Sequence, residues 1–179
     1  MSVSDRKFSA KASAPSTVRP RLASPKARDA RPDRGVLNGH LGYFMRRAQV
    51  WVFQDFIRTL TPIDIRPAQY SVLVVIGANP GLSQSDISDI LGIERARLVR
   101  MLDRLDRRGL TLRLPSDRDR RSHALHLTRE GQKLLKQAKM LAAQHEARLA
   151  ELFGPANRQM MIEVLREFET RLAAGQSSR

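Results

Sequence analysis

The chain has no cysteine among its 179 residues. Disulfide bonds, thiolate metal sites and redox sensing by a thiol are therefore excluded. Histidine is scarce as well, and the four histidines are scattered: His40, His123, His126 and His145. Because His123 and His126 would point to opposite faces of one strand, we expect neither a metal site nor a bound cofactor.

Long apolar runs are also missing. No run approaches the ~20 residues that a membrane-spanning helix needs, and the N-terminal residues lack the continuous apolar segment of a secretory signal. The sequence contains no G-x-S-x-G, P-loop, G-x-G-x-x-G or H-E-x-x-H string, and its acidic residues stand mostly among arginines. We therefore expect a cytoplasmic protein that is not an enzyme and does not enter a membrane.

Acidic residues are in the minority. The sequence has 18 Asp and Glu against 32 Lys and Arg, which gives a formal net charge of +14. Such an excess favours a polyanionic partner, although charge alone does not separate nucleic acid from an anionic membrane surface. The arrangement of the basic residues has to decide between the two.

A helix-turn-helix pattern occupies the segment from Leu82 to Arg108. Ser83 and Asp86 form a capping-box pair at the start of a short helix, and Gly92 supplies the turn. The next helix, predicted from Glu94 to Arg108, carries a core-facing stripe of Leu98, Leu102 and Leu105. Its other side carries Arg97, Arg100, Arg104, Arg107 and Arg108. Because the core already uses the leucine stripe, nucleic acid is favoured over a membrane surface.

Two short strands follow, Leu110–Leu114 and Ser122–Leu127, and the basic hairpin PSDRDRR joins them. Gly109 is predicted to cap the preceding helix in a left-handed conformation, and Thr128 to cap the next helix. A run of charge is usually a solvated face. An arginine-faced helix followed at once by an arginine-tipped hairpin is instead typical of a winged helix-turn-helix that binds DNA.

At these residues the chain resembles the MarR family of winged helix-turn-helix transcription regulators. The resemblance runs from about Leu37 to Leu172. It implies a mainly α fold, with a small β-hairpin wing and an α-helical dimerisation region. Its carriers are RPAQYSVL at Arg66–Leu73, LSQSDISDILGI at Leu82–Ile93, DRLDRRGL at Asp103–Leu110 and DRDRRSHALHLTREGQKLL at Asp117–Leu135.

Apolar periodicity predicts the helices around this motif. They are a long helix over 37–60, an almost wholly apolar helix over Pro67–Gly77, and two terminal helices over 128–153 and 156–173. The first and the terminal helices hold more apolar surface than one small domain covers, so we expect them to pair with a second copy of the chain.

The predicted domain organisation has three parts. Residues 1–36 form a disordered basic tail, which is either a mobile arm that strengthens DNA binding or a solubilising leader. Residues 37–174 form the MarR-type domain, with the winged helix-turn-helix at 62–127 and dimerisation helices at 37–60 and 128–174. Residues 175–179 form a polar tail.

The resemblance implies which residues contact DNA. In the family a D-x-R motif in the wing directs its arginine into the minor groove, and Asp119, Arg120 and Arg121 match it. We predict contacts from Arg95, Arg97, Arg100 and Arg104 of the recognition helix and from Arg118, Asp119, Arg120 and Arg121 of the wing. Family members often have small hydroxyl residues where this chain has Ala96, Arg97 and Val99, and a threonine where it has Arg66. Base contacts of the helix therefore do not carry over residue by residue.

The segment GHLGYFMRRAQVWVFQDF, together with RPAQYSVL, resembles the branch of the family tied to hydroxycinnamate-type aromatic catabolism. There the effector is an aromatic acid or its acyl-CoA thioester. We predict a pocket walled by Trp51 and Tyr70, in which Arg46 or Arg47 pairs with an anion, because arginines in an apolar helix are costly to bury unpaired. Alternatively, the arginines snorkel to solvent and the aromatic residues fill an interface.

The predicted function is that of a homodimeric repressor that binds a pseudo-palindromic operator and is released by its ligand. A sequence-blind architectural DNA-binding protein is the alternative, since the basic tail and the arginine-faced helix would suffice for it. That alternative predicts neither an operator nor a small ligand.

Overall fold

The computed structural model describes residues 32–115 and 123–176. The chain divides into two units, Met1–His40 and Leu41–Arg179. The described part of the second unit contains six α-helices and one hairpin. In chain order they are α1 (Leu41–Leu60), α2 (Pro67–Ala78), α3 (Gln84–Leu91), α4 (Arg95–Arg107), β1 (Thr111–Pro115), β2 (His123–Leu127), α5 (Arg129–Phe153) and α6 (Pro155–Gln176). This order confirms the predicted winged helix-turn-helix fold.

The outer ends of the helical region differ from the prediction. We expected one helix to begin at Leu37, but Gly35–Gly39 forms a 3-10 turn and His40 is extended, with ψ 110°. The glycines at both ends of that turn weaken α-helix formation, and Gly35 has a φ of +54°. At the other end, α6 continues to Gln176 instead of stopping near Ala173. A glycine lowers helix stability without forbidding the helical conformation, so Gly175 does not end α6.

The hydrophobic core lies within the winged helix-turn-helix. The leucine stripe of α4 is confirmed, since Leu98, Leu102 and Leu105 are at most 1% exposed. Other elements contribute further fully buried side chains: Leu60 from α1, Val72, Leu73 and Ile76 from α2, Ile87 from α3 and Leu125 from β2. Burying such side chains is the main source of stability in a domain of this size.

Local capping fixes the ends of the helices. The Ser83 hydroxyl accepts the N–H of Asp86 at 3.2 Å, and the Asp86 carboxylate accepts the N–H of Ser83 at 2.9 Å. Gly92 and Gly109 have positive φ values of 59° and 66°, which glycine adopts without strain. Thr128 caps α5 by accepting the N–H of Gly131 at 2.9 Å. The three predicted caps, Ser83, Gly109 and Thr128, and the predicted turn at Gly92 are confirmed.

The wing strands pair antiparallel, from Thr111 opposite Leu127 to Pro115 opposite His123. Where the hairpin meets α5, the chain packs closely against itself. A Cβ atom on Gly131 would lie 1.9 Å from the carbonyl oxygen of Leu110. The Thr128 hydroxyl also donates to the carbonyl of Gly109 at 2.6 Å. The start of α5 is therefore fastened to the end of the recognition helix.

Helices α1 and α6 have large exposed apolar faces. On α6 the side chains of Met160, Met161, Val164, Leu165, Phe168 and Leu172 are 40–60% exposed. On α1 the exposed apolar residues are Leu41, Phe44, Met45, Val50, Trp51 and Phe53. Contiguous apolar surface of this kind usually marks an interface. No helix among the described residues combines the length and the apolar character needed to cross a membrane.

A polar cluster joins α1 to α5. Asp55 on α1 accepts hydrogen bonds from His145 Nδ1 at 2.8 Å and from Arg148 at 3.0 Å. These two hydrogen bonds lower the pKa of Asp55 from 3.8 to about 2, because they stabilise its charged form. His145 is buried and stacks on Phe56 at 4.9 Å, and Phe56 in turn meets the ring of Tyr70 edge-on at 5.5 Å.

Candidate nucleic-acid interface and ligand cavity

The outer face of α4 is a basic surface formed by exposed arginines. The leucine stripe fixes the rotation of this helix, so its other side must face solvent. Three arginines predicted from the sequence to bind DNA are exposed there, Arg97, Arg100 and Arg104, and the fourth, Arg95, is exposed in the first turn of the helix. Arg107 lies on the same surface, one turn after Arg104.

The guanidinium groups on this face differ in their contacts. Arg104 donates to the carbonyl of Arg100, and Arg107 to that of Asp103, both at 3.2 Å. Arg95, Arg97 and Arg100 make no side-chain hydrogen bond or ion pair to another described residue. A guanidinium carries five N–H donors that suit phosphate oxygens and the acceptor edge of guanine. These three side chains are therefore available to an anionic ligand.

Arg108 does not point outward with the other arginines of α4, contrary to the sequence prediction. Its guanidinium turns away from the basic face and donates to the carbonyls of Asp64 and Ile63, the latter at 3.2 Å. Asp64 adopts a left-handed conformation, with a φ of 50°, at the end of a 3-10 turn over Thr61–Ile63. Arg108 thus anchors the end of α4 to the turn before α2. Wheel geometry placed it outward because it ignores long-range carbonyl acceptors.

The two aspartates of α4 hold the wing strand. Arg113 on β1 pairs with Asp106 at 2.9 Å and also contacts Asp103, while the Thr111 hydroxyl donates to Asp106. Arg113 therefore offsets part of the negative charge that the two aspartates place next to the basic face. This network couples the orientation of the wing to that of the recognition helix. The role of Arg113 could not be predicted from the sequence, because its two aspartate partners are identifiable only once the position of β1 against α4 is known.

The predicted wing contacts are Arg118, Asp119, Arg120 and Arg121. They lie outside the described residues, so their assignment stays a prediction. The strands that lead to them, β1 and β2, are described, and β1 begins four residues after the end of α4.

The four residues predicted to bind an effector have different surroundings. Arg46 and Arg47 are exposed, and Arg47 donates to the Tyr43 hydroxyl at 3.3 Å and lies 5.7 Å from its ring centroid. Trp51 is 43% exposed, whereas Tyr70 is half-buried against Phe56. Burial raises the pKa of Tyr70 above its usual 10.0. The predicted pocket formed by these four residues stays a prediction.

A cavity of about 590 Å³ lies elsewhere, between the end of α2, strand β2 and the first half of α5. None of the four predicted effector residues lines it. Its walls include Ile76, Leu127, Leu135 and Met140, and its basic groups are Lys136, Lys139 and His126. Neither lysine pairs with a carboxylate of the described residues. A mainly apolar cavity with two lysines suits a ligand that has an apolar body and an anionic group.

Comparisons with known proteins decide the family. A model of the MarR family matches residues 63–122. A protein of Thauera aromatica named for the regulation of its hcr operon is 32% identical over 133 residues, which span 74% of this chain and 80% of the relative. The chain belongs to the MarR family. The resemblance inferred from the sequence motifs is thereby confirmed.

Solved structures of MarR-family proteins share its fold. The repressor CouR bound to a 23-mer DNA duplex is 45% identical, with a TM-score of 0.75, over 78% of this chain and 99% of CouR. CouR bound to p-coumaroyl-CoA is 43% identical, with a TM-score of 0.70, over 76% of this chain and 96% of CouR. A mutant of MarR from E. coli, complexed with operator DNA, is 25% identical, with a TM-score of 0.68, over 76% of this chain and 99% of that one.

Proposed function

We propose that this MarR-family protein is a homodimeric repressor that binds a pseudo-palindromic operator and is released by an aromatic acyl-CoA. The observation that carries the proposal is the arginine face of α4, held outward by the leucine stripe and tied to the wing strand through Arg113. The protein would act in the cytoplasm and have no catalytic activity. Its domains would be those predicted from the sequence, with residues 1–36 as a basic tail, except that the first dimerisation helix begins at Leu41.

The two copies would be joined through α1, α5 and α6. The exposed apolar faces of α1 and α6 are too large for a stable monomer surface, and a two-fold interface buries the same patch on both copies. A two-fold dimer presents two recognition helices to one side of the duplex. The half-site centres would therefore lie about 10–10.5 base pairs apart.

DNA binding would use two kinds of contact. Arg95, Arg97, Arg100 and Arg104 would meet bases and phosphates of the major groove, and the wing residues Arg118, Asp119, Arg120 and Arg121 would reach the adjacent minor groove. Each phosphate contact releases counterions, so the affinity would fall steeply as salt rises, with a log–log slope of about −0.9 for each neutralised phosphate.

The cavity beside α5 is our proposed site for the effector. Its volume of about 590 Å³ fits an aromatic acyl group, and Lys136 and Lys139 would attract the phosphates of the CoA portion. The cavity contacts both the winged part, through Ile76 and Leu127, and the long helix α5. A ligand bound there would act on the junction between DNA-binding and dimerisation elements. CouR, which is 43% identical, has been solved with p-coumaroyl-CoA.

The ligand can release DNA only through a difference in its affinity for the two states of the protein. Moving the population from 1:99 to 99:1 requires a preference of about 10⁴-fold for the state that does not bind DNA. Repulsion between CoA phosphates and operator phosphates would contribute to that preference.

The test measures operator binding by fluorescence anisotropy as each candidate effector is added. We expect p-coumaroyl-CoA to release the operator, whereas free p-coumarate and free CoA act weakly or not at all. The double variant Lys136→Ala/Lys139→Ala should need a much higher concentration of the acyl-CoA. Lys133→Ala is the matched control, because Lys133 lies on the same helix outside the cavity and pairs with Glu130 at 3.0 Å.

A second double variant, Arg46→Ala/Arg47→Ala, tests the pocket predicted from the sequence. If it loses the response while the lysine variant keeps it, the effector binds at α1 and the cavity assignment is wrong. If no sequence is preferred over random duplex and no acyl-CoA has an effect, the architectural alternative is correct instead.

A further inference from the structure

Two methyl-bearing side chains lie next to the arginines in the first half of α4, Ala96 on the outer face and Val99 at the margin of the leucine stripe. Ala96 is exposed, and Val99 is 37% exposed. The two residues are three positions apart, so they lie side by side on the helix surface. A β-branched residue loses rotamer freedom in a helix, and helix propensity therefore does not account for Val99.

Their position on the helix makes this small patch informative. Single exposed apolar residues are common on protein surfaces and need no explanation by themselves. Ala96 and Val99, however, lie in the first half of α4, and the N-terminal residues of a recognition helix are the ones that contact base edges. The exposed guanidinium groups of Arg95, Arg97 and Arg100 surround them.

The 5-methyl of thymine is the largest apolar group at the major-groove edge, where the polar groups of the bases are hydrogen-bond donors or acceptors. An aliphatic side chain placed against a donor or acceptor would leave that group desolvated and unpaired, which is unfavourable. The side chains of Ala96 and Val99 offer no hydrogen bond. Thymine methyl groups are therefore the base-edge feature that they match.

We infer that Val99, with Ala96 beside it, determines sequence specificity by packing on thymine 5-methyl groups in each operator half-site. The inference rests on the proposed function, because it needs a sequence-specific operator. Helix α4 would then make two kinds of contact with DNA. The arginines supply salt-dependent affinity, whereas the methyl contacts supply discrimination that does not depend on salt, because they release no counterions.

The test uses the full-length protein and an operator obtained by selection from random duplexes. Each thymine of the operator is replaced singly by uracil, which removes only the methyl group, and the dissociation constant is measured at two salt concentrations. We expect one or two positions in each half-site to lose affinity about fourfold, the factor that corresponds to exposing one methyl group. The ratio between thymine and uracil operators should be the same at both salt concentrations.

Protein variants test whether the loss of affinity for uracil operators depends on the side chain of Val99. Val99→Ala should bind thymine and uracil equally well at one of the sensitive positions, since it lacks the methyl groups that make the contact. Ile90→Ala is the matched control: Ile90 is an exposed apolar residue of α3, 57% exposed, and its variant should keep the full sensitivity to uracil. Circular dichroism checks that both variants remain folded.

Two results overturn the inference. One is an operator in which every thymine tolerates uracil, and the other is a Val99→Ala protein that keeps the wild-type sensitivity at every position. In both cases the operator itself still supports the proposed function. A selection that enriches no sequence at all rejects the proposed function and this inference together.

Discussion

The winged helix-turn-helix and the terminal helices differ in how far their apolar side chains are buried within one chain. In the winged part, α2, α3, α4 and the hairpin enclose Leu73, Ile87 and Leu102, which are fully buried within one chain. Helices α1 and α6 instead expose rows of large apolar side chains, including Trp51 and Phe168. Between them, α5 has one end in each region, with Gly131 packed on the wing and His145 buried against α1.

The difference indicates what each region contributes to the proposed function. The core of the winged part also includes Leu60 of α1 and Leu135 of α5, and it fixes the rotation of α4 that presents the basic face. The terminal helices keep large apolar side chains exposed in a single chain, and in the proposed dimer the pairing of two winged parts on one operator would depend on them. Each of the following substitutions should affect mainly one of the two regions.

The largest effect is expected from placing charge on the exposed face of α6. The double variant Val164→Arg/Phe168→Arg should be monomeric, because two arginines cannot be buried in an apolar interface without partners. It should lose operator affinity by about 10²–10⁴-fold, the gain that bivalent binding usually provides. Sedimentation velocity and anisotropy measure the two effects. A dimeric variant with normal affinity would place the interface elsewhere.

Gly131→Ala should affect the winged part instead. The new Cβ would approach the Leu110 carbonyl oxygen to 1.9 Å, and because that atom belongs to the backbone, the hairpin or α5 must shift. We expect the free energy of unfolding to fall by about 3 kcal/mol, the upper end of overpacking costs. Urea denaturation measures this loss. Gly175→Ala is the control, since a Cβ there meets nothing within 4 Å.

The polar cluster between α1 and α5 should have a smaller effect that depends on pH. Asp55→Asn removes charge-assisted hydrogen bonds from His145 and Arg148, and we expect a loss of about 2 kcal/mol near neutral pH. The lowered pKa of Asp55 means that its contribution is complete above pH 3.8 and is lost as the pH falls toward about 2.

Denaturation of the wild type and of Asp55→Asn across pH 2–6 compares the two proteins. Their stabilities should converge as the pH falls below 3.8, because protonated Asp55 resembles asparagine. A constant difference in the free energy of unfolding across this pH range would show that the charge of Asp55 does not stabilise the contact between α1 and α5.

Ser83→Ala should have the smallest effect. It removes the hydroxyl that caps α3, and we expect a loss of about 1 kcal/mol without any change in dimerisation. Thermal denaturation measures the loss. Because the cap is local to the winged part, Ser83→Ala and Gly131→Ala should both leave the sedimentation coefficient unchanged. A shift to monomer in either variant would contradict the separation of the two regions.

The sequence predicted the features that depend on local interactions. Capping by Ser83 and Thr128, the turn at Gly92, the left-handed Gly109 and the leucine stripe of α4 all follow from local sequence, and the structure confirms them. The helix start at Leu37 was wrong because several weak preferences, none decisive, determine where a glycine-bounded segment stops being helical.

Features that join distant parts of the chain could not be predicted. Arg108 binds carbonyls more than 40 residues away in the sequence, at Ile63 and Asp64. The pairing of Arg113 with Asp106 and the contact of Gly131 with Leu110 depend on how the hairpin lies against α4 and α5. The cavity between α2, β2 and α5 could not be predicted for the same reason. No sequence pattern indicates a cavity that forms between three separate elements.

The proposed dimeric repressor is tested most directly by the stoichiometry and symmetry of its complex with the selected operator. Analytical ultracentrifugation combined with hydroxyl-radical footprinting should show two chains on one duplex. Protection should be two-fold symmetric, with half-site centres about 10–10.5 base pairs apart. Uniform protection that lengthens as more protein is added, or a single chain bound to an asymmetric site, would contradict the proposed pairing of two DNA-binding parts by the terminal helices.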